Sequence, residues 1–263
     1  MKRIVIARIV LMFLVVLAVN VTSRDTVIAD LPERPGHNTT TVRFGPDDRL
    51  YVARGSTCNV CEENDPRYAA VWVYEADGSD EHLLMKGLRN AVGLAVNPVT
   101  EEVWASNNGR DMLGNDIPPE TIYILEEGAD AGWPHCHAGD IIDSDYGNEG
   151  ACEGVAQPAV EMQAHSAHLA LPSTTPIASL SSKGDLFVAF HGSWNRVPPT
   201  GYKTVRVPME DGRVAGEVED FATGWLLPND ESPGRPVGVT AAADGTLLVS
   251  DDKRGFIYRI VPS

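Results

Sequence analysis

The segment Phe44–Val52, with the sequence FGPDDRLYV, joins the end of one strand to the start of a second through a tight turn. Pro presets φ and Asp tolerates positive φ, so both residues favour such a turn. The same design returns in Leu94–Ala105 and Val239–Ser250, and Ser182–Phe190 keeps the turn and the second strand. Recurrence of this kind at roughly 50 residues is typical of propeller blades or a related β-array. The sequence therefore predicts an all-β chain.

The composition agrees with a globular chain that turns often. The 263 residues are 43% hydrophobic and 22% charged, and they include 24 Gly and 18 Pro, which favours many short strands over long helices. The 21 Lys and Arg stand against 37 Asp and Glu, for a net charge of −16. Nucleic acid and anionic membrane surfaces need a basic face, whereas these cations are scattered singly. The charge therefore argues against both partners.

The first twenty residues differ from this acidic body. Lys2, Arg3 and Arg8 precede the apolar run Ile9–Val19, a pattern typical of a secretory signal peptide or an uncleaved N-terminal anchor. A buried strand displaced from a blade is the alternative interpretation. We expect residues 1–20 to be the signal or anchor, residues 21–263 to form the propeller domain, and the protein to be exported to the periplasm or the cell exterior.

The four cysteines favour disulfides over other uses. Cys58 and Cys61 form a Cys-x-x-Cys motif, and Cys136 and Cys152 are the remaining pair. An even number of cysteines in an exported chain is typical of disulfide bonds. Zinc is the rival interpretation, because several histidines (His135, His137, His165 and His168) surround Cys136 in the sequence.

Most of the unusual residues lie in loops that flank the repeats, where a propeller places its ligands. These loops are Pro35–Thr40, Gly87–Asn90, Ser106–Asp111, His191–Arg196 and Gly234–Pro236. The order of the His37 loop, GLRNAVGL (87–94), GWP (132–134) and Gly234–Arg235 resembles the soluble quinoprotein sugar dehydrogenases. Two further stretches, GSTCNVC (55–61) and FHGSWNR (190–196), resemble the sorbosone dehydrogenase branch most closely.

The resemblance implies a six-bladed β-propeller that carries pyrroloquinoline quinone (PQQ) and calcium and oxidises the C1 hydroxyl or aldehyde hydrate of a sugar. His37 matches the general base, since an imidazole can accept a proton at neutral pH. Five more residues match cofactor positions: Arg89 and Arg235 for the carboxylates of PQQ, Asn90 at the quinone edge, and His191 with Trp194 to hydrogen-bond and stack on its plane.

The calcium ligands implied by the resemblance are the backbone carbonyls of Gly109 and Arg110, although the family often has proline after this glycine. Calcium prefers oxygen ligands, so Asp111, Asp116 and Glu120 are alternatives. Ser56 stands where glucose dehydrogenases carry an acid. A separate acceptor must take the electrons from the sugar substrate.

Four repeats are fewer than the six blades of the family, so we expect an incomplete ring of about four blades with exposed sheet edges. Two other functions fit the same loops. A calcium-dependent, lactonase-like propeller would use the carboxylates of 111–120 to hold its metal and would not need PQQ. A noncatalytic propeller module would bind glycans or protein without His37, Arg89 or Arg235.

Overall fold

A computed structural model describes residues 25–33, 36–169, 184–242 and 244–261. Every regular element within these ranges is a strand, which confirms the all-β prediction. The expected signal or anchor, residues 1–20, lies outside the described residues, as do residues 182–183 of the third repeat. The described residues contain no helix long and apolar enough to cross a membrane.

The strands are numbered in chain order as follows: β1 (Thr40–Phe44), β2 (Leu50–Arg54), β3 (Ala70–Tyr74), β4 (His82–Lys86), β5 (Leu94–Val96), β6 (Val103–Asn107), β7 (Glu120–Ile124), β8 (Ala129–Asp130), β9 (Cys136–His137), β10 (Ile141–Ile142), β11 (Val160–Met162), β12 (Leu186–Phe190), β13 (Lys203–Val207), β14 (Met209–Glu210), β15 (Arg213–Val214), β16 (Glu219–Ala222), β17 (Pro236–Ala241), β18 (Leu247–Asp251) and β19 (Phe256–Ile260).

The described strands form four main antiparallel sheets that follow one another along the chain. Sheet 1 has the order β1-β2-β3-β4, with β8 added in parallel at its edge, and sheet 2 has the order β5-β6-β7-β11. Sheet 3 is β12-β13-β16 and sheet 4 is β17-β18-β19. The two remaining pairs, β9 with β10 and β14 with β15, are small hairpins between or beside these sheets.

The repeated turns join neighbouring strands as the sequence predicts. In sheet 1, Phe44 pairs with Leu50 and Val42 with Val52, so the Pro46–Asp47 turn closes the hairpin. The second and fourth repeats likewise form the hairpins β5–β6 and β17–β18. The same turn chemistry therefore starts three of the four sheets.

The core lies between successive sheets. One cluster joins sheets 1 and 2, a second joins sheets 2 and 3, and a third joins sheets 3 and 4. Strand β12 shows how: Val188 and Phe190 enter the second cluster, whereas the alternate residues Phe187 and Ala189 enter the third. Because successive side chains of a strand point to opposite faces, a sheet covered on both sides needs an uninterrupted apolar strand.

The first and fourth sheets each have one face outside these clusters. In sheet 1 that face includes Val42 and Phe44, both more than half exposed, and in sheet 4 it includes Ile257, which is 73% exposed. The chain segment 25–33 covers part of the first face. There Arg54 donates a hydrogen bond to the carbonyl of Pro32, and Tyr68 donates one to the carbonyl of Glu33.

Candidate functional site

All the predicted site residues lie at the same edge of the four sheets, meaning the edge that is formed by strand ends and the loops between them. His37 precedes β1 and Asn90 precedes β5, while Gly109 follows β6. His191 follows β12, and Arg235 immediately precedes β17. In an antiparallel sheet the start of one strand lies beside the end of the next, so these loops emerge together. The topology therefore collects residues separated by about two hundred positions of sequence.

A continuous series of hydrogen bonds links these loops across all four sheets. The steps are His37 N to Ser56 O (3.1 Å), Ser56 N to Arg89 O (2.7 Å), Arg89 Nη1 to Gly109 O (2.6 Å), Gly109 N to Glu120 Oε2 (3.0 Å), Ala167 N to Glu120 Oε1 (2.9 Å), His191 N to Ala167 O (3.1 Å) and Arg235 Nε to His191 O (3.0 Å). The loops thus form one connected structure rather than independent surface segments.

The His37 ring is oriented by Ser56. Its Nδ1 lies 3.0 Å from both the carbonyl oxygen and the hydroxyl oxygen of Ser56. The Ser56 hydroxyl donates its own proton to the carbonyl of Cys58 at 2.6 Å, so it can only accept from the imidazole. These partners assign the proton to Nδ1 and make Nε2 the basic nitrogen of the neutral ring. Ser56 thus performs an orienting role without carrying charge.

Arg89 is almost completely buried, and its whole guanidinium is engaged by the protein. Nε and Nη2 donate to the backbone and side-chain oxygens of Asn59, each at 2.9 Å. Nη1 donates to the carbonyl of Gly109, and Nη2 also donates to the carboxylate of Asp111 at 2.8 Å. Burial lowers the pKa of Arg89, and the nearby Asp111 opposes this shift. Arg89 therefore fastens the Gly109 loop to the loop that carries the Cys58–Cys61 disulfide.

Arg110 points away from this cluster into a second buried network. Its guanidinium binds the carboxylates of Asp143 and Asp145, and His137 Nε2 lies 2.7 Å from the same Asp143 carboxylate. Burial opposes ionisation of Asp143, but hydrogen bonds from Arg110 and His137 hold the pKa of this carboxyl well below its usual range. The side chain of Arg110 thus anchors the loop after β6 to the hairpin β9–β10.

Glu120, the first residue of β7, holds two loops of the site through one carboxylate. One oxygen accepts the backbone N–H of Gly109 and the other accepts the N–H of Ala167. Burial raises the pKa of Glu120 from 4.5 to about 7 in spite of these bonds. The imidazole of His168 lies 3.8 Å away and is fully buried, which lowers the pKa of His168 to about 3.

Replacing Glu120 with Gln is expected to remove a stability contribution that decreases as pH rises. A folded state that binds the proton more tightly than the unfolded state gains stability at low pH and loses it as pH rises through the folded pKa. The free energy of unfolding of the wild type, minus that of Glu120→Gln, should therefore fall between pH 4.5 and pH 7.5. Urea unfolding of both proteins at several pH values measures it.

The neighbouring His168 has the opposite effect on the pH dependence of stability. Because it is buried in its neutral form, the free energy of unfolding that it contributes decreases as pH falls below 6.5. His168 is present in both proteins, so its contribution cancels when the two free energies of unfolding are subtracted. The Gln side chain has one acceptor oxygen fewer than Glu120, but this loss does not vary with pH. Arg89 and Asp111 also face Glu120 and are likewise unchanged. A difference that stays constant or grows with pH would contradict the prediction.

The loops of sheets 3 and 4 meet at His191. Arg235 donates to the carbonyls of His191 and Gly192, at 3.0 and 2.9 Å, and stacks over the ring of Tyr202. Among the described residues no partner is found for Nη1 of Arg235, in contrast to the fully engaged Arg89. The imidazole of His191 is 3.0 Å from the carboxylate of Asp252. Burial lowers the pKa of His191, although this carboxylate opposes the shift.

Trp194 projects outward from the same loop and is 72% exposed. The side chain of the next residue, Asn195, donates to the carboxylate of Asp111 at 2.9 Å. Beyond it, Arg196 pairs with Asp116, and Val197 and Asn115 exchange hydrogen bonds. Trp194 thus stands on a loop that is tied to the loop after β6.

Three buried amide oxygens at the site have no hydrogen-bond partner among the described residues. They are the Oδ1 atoms of Asn90, Asn108 and Asn195, and the backbone N–H of Asn108 donates to the carbonyl of Asn90. The close approach of Gly55 helps to confine Asn90, because a Cβ at this glycine would lie 2.6 Å from Asn90 Oδ1 and 2.7 Å from Cβ of His37. Unpartnered buried oxygens are costly, so these positions fit a group that supplies hydrogen-bond donors or a cation.

Both predicted disulfides are present, Cys58–Cys61 and Cys136–Cys152. They exclude the zinc interpretation for these sulfurs, and they are typical of exported proteins. Cys58, Cys61 and Glu63 form the one group with metal-ligand spacing in the part of the chain that the structure describes, and both sulfurs are oxidised. The alternative calcium ligands Asp111, Asp116 and Glu120 have separate partners and form no such group.

Comparison with known proteins finds relatives of this chain in both sequence and structure. Residues 141–263 match the TrAA12-like family model. A PQQ-dependent pyranose dehydrogenase of Coprinopsis cinerea is 29% identical over 227 residues, covering 66% of this chain and 30% of that protein. An uncharacterized protein of Borreliella burgdorferi is 30% identical over 221 residues, covering 81% of this chain and 57% of that protein. The chain therefore spans between about a third and just over half of these relatives.

Solved structures show the same fold. The holo form of the PQQ domain of the Coprinopsis cinerea pyranose dehydrogenase superposes with a TM-score of 0.67 at 23% identity, covering 86% of this chain and 70% of that domain. The calcium structure of the Trichoderma reesei carbohydrate-active enzyme of family AA12 gives 0.70 at 22% identity, with 86% and 68% covered. Residues 141–263 thus match the TrAA12-like family, and the chain is a homologue of PQQ-dependent pyranose dehydrogenase, which confirms the resemblance carried by the loops.

Proposed function

We propose that this chain is an exported, PQQ-dependent oxidoreductase that oxidises the C1 hydroxyl or aldehyde hydrate of a sugar, an aldose or sorbosone. The observation that carries the proposal is the hydrogen-bonded connection from His37 to Arg235, which brings a base, two arginines and three unpartnered amide oxygens to one edge of the sheets. The homologous pyranose dehydrogenase, which is named for its PQQ dependence, supports the choice of cofactor.

The residues at this edge fit PQQ, an anionic cofactor with three carboxylates. Arg235 keeps donors for a carboxylate, and the buried positive charge of Arg89 adds attraction in a protein that is otherwise strongly acidic. We propose that Asn90 contacts the quinone edge and that His191 and Trp194 hydrogen-bond and stack on the ring system. When bound, PQQ supplies a quinone that accepts the hydride from C1 of the sugar.

His37 is the proposed general base. The Nδ1–H of its neutral ring donates to Ser56, so the basic Nε2 takes the proton of the sugar hydroxyl. The Ser56 carbonyl stabilises the imidazolium that results, because it still accepts the Nδ1–H bond. A rigid ring costs less reorganisation at the moment of proton transfer.

Calcium is the proposed metal, with the carbonyls of Gly109 and Arg110 as ligands and the unpartnered Oδ1 of Asn108 close by in sequence. A carbonyl oxygen has two lone pairs, and Arg89 uses one at Gly109. The guanidinium of Arg89, which donates to the Gly109 carbonyl, repels a cation bound at the same oxygen. We therefore propose that the carboxylates of the cofactor are needed for calcium to stay bound.

Reconstitution tests the proposal. The purified chain is titrated with PQQ and calcium while quinone absorbance is followed, and dye reduction is then measured with aldoses and sorbosone. Saturable binding with sugar-dependent dye reduction is expected. The absence of both would overturn the proposal, and lactone hydrolysis without PQQ would instead support a lactonase-like propeller.

A further inference from the structure

Asn59, which the sequence does not single out, makes five hydrogen bonds at the centre of the site. Its carbonyl accepts from Arg89 Nε at 2.9 Å and from Trp133 Nε1 at 3.2 Å. Its side-chain oxygen accepts from Arg89 Nη2 and from the backbone N–H of Asp111, both at 2.9 Å. Its side-chain nitrogen donates to the carbonyl of Asp111 at 3.0 Å.

These contacts join three separate parts of the chain. Asn59 belongs to the loop after β2, Arg89 to the loop before β5, and Asp111 to the loop after β6. The side-chain amide engages both the N–H and the C=O of Asp111, which fixes the orientation of that backbone as a neighbouring strand would. Asp111 in turn pairs with Arg89 and accepts from Asn195. The amide thus completes a ring of contacts around the guanidinium.

The Cys58–Cys61 disulfide closes the turn that presents Asn59. Cys58 is also the residue whose carbonyl accepts the Ser56 hydroxyl, which orients His37. Glu63 holds the other side of this turn by accepting the backbone N–H and the hydroxyl of Thr57. One short, cross-linked turn therefore supports both the base and the arginine of the site.

We propose that Asn59 is a positioning residue that fixes Arg89 and the Asp111 backbone for cofactor binding, with the Cys58–Cys61 turn as its rigid support. The inference rests on the proposed function for its link to PQQ. The positioning itself is a property of the protein alone and is measured without the cofactor.

Asn97 provides a matched control. It is also a turn asparagine, and its buried side chain makes bonds comparable to those of the half-buried Asn59, donating to the carbonyl of Gly212 at 2.8 Å and accepting the N–H of Val99 at 3.0 Å. It lies between β5 and β6, at the opposite edge of sheet 2. A loss of stability alone should therefore be similar in Asn59→Ala and Asn97→Ala.

The experiment measures amide hydrogen exchange across residues 107–113 in the protein without cofactor, together with PQQ affinity by absorbance titration in the presence of calcium. In Asn59→Ala we expect the Asp111 amide to exchange at least about tenfold faster and PQQ affinity to fall roughly 10-fold or more, the range found when residues supporting a binding shell are removed. Turnover at saturating PQQ should fall less than the affinity does. Asn97→Ala should change neither exchange in this segment nor affinity.

Two further variants sharpen the test. Asn59→Asp keeps an acceptor for Arg89 and for the Asp111 N–H, so its exchange should lie closer to wild type than that of Asn59→Ala. The double variant Cys58→Ser with Cys61→Ser should shift exchange and affinity in the same direction as Asn59→Ala. Unchanged exchange at residues 107–113 in Asn59→Ala, or equal losses of affinity in Asn59→Ala and Asn97→Ala, would overturn the proposal. A wild type that does not bind PQQ would overturn the proposed function, while the exchange measurements would still decide the role of Asn59.

Discussion

In His37→Ala, the turnover of the PQQ-loaded protein is expected to fall by about 10²- to 10⁴-fold, the contribution typical of a positioned general base. PQQ affinity should change by less than about threefold, because the proposed base acts on the sugar hydroxyl and both arginines keep their own partners in the variant. The two measurements are sugar-dependent dye reduction at saturating PQQ and the absorbance titration of PQQ. The separation of these effects distinguishes a base from a cofactor ligand.

His82→Ala is the control for this prediction. His82 is a partly exposed histidine that interacts with Glu127 and Arg49, and it begins β4 at the far edge of sheet 1. Its removal should leave turnover and PQQ affinity close to wild type. Full turnover in His37→Ala would refute the assignment of His37 as the base, whatever the behaviour of the control.

The fold was predictable because it depends on local signals that recur. The turn Gly45–Asp47 and its counterparts each set a hairpin through backbone preferences of a few residues, and the apolar strand Leu186–Phe190 reports burial on both faces. Both signals can be recognised without knowing which sheet packs against which. The number of blades is not predictable in this way, because no local signal specifies the size of the ring. The described residues form four main sheets.

The site was predictable only in part. Sequence order identified loops that the topology does bring to one edge, including those of His37 and Arg235. It gave no indication that Glu120 would hold two of these loops, or that Asn59 would contact residues 30 and 52 positions away. Such contacts depend on how sheets stack, which no local pattern encodes. The sequence signal that could have directed attention to Asn59 is the Cys-x-x-Cys motif, because a disulfide constrains the residues that it encloses.

The two predicted cofactor arginines also show which properties of the site the sequence predicts and which depend on packing. From sequence alone, Arg89 and Arg235 are isolated cations in an acidic chain with the same expected role. In the structure Arg89 is 4% exposed and donates to oxygens of the protein with all three nitrogens, while Arg235 is half-buried and retains an unengaged nitrogen among the described residues. The burial of an arginine decides whether its donors bind other loops of the protein or stay accessible to a ligand. That burial depends on the packing around each side chain.

The largest effect on stability is expected from Arg89→Ala, which should lower the free energy of unfolding by about 3–5 kcal/mol. The substitution leaves the carboxylate of Asp111 without its partner and removes the donor from the carbonyl of Gly109. It also removes two donors from Asn59. Buried acceptors that lose their donor cost free energy beyond the lost attraction. Urea unfolding of the protein without PQQ measures the change independently of function.

Arg89→Lys separates charge from geometry. An ammonium group can face Asp111, but it cannot reach the acceptors on Asn59 and Gly109 together, since only the planar guanidinium presents donors in several fixed directions. We therefore expect the lysine to recover less than half of the lost stability. Arg67→Ala is the control. Arg67 also donates to a carboxylate, that of Asp65, with two nitrogens, but it is partly exposed. Its loss should therefore lower the free energy of unfolding by no more than about 1 kcal/mol. An Arg89→Ala protein as stable as the Arg67→Ala protein would show that the buried contacts of Arg89 do not hold the loops together.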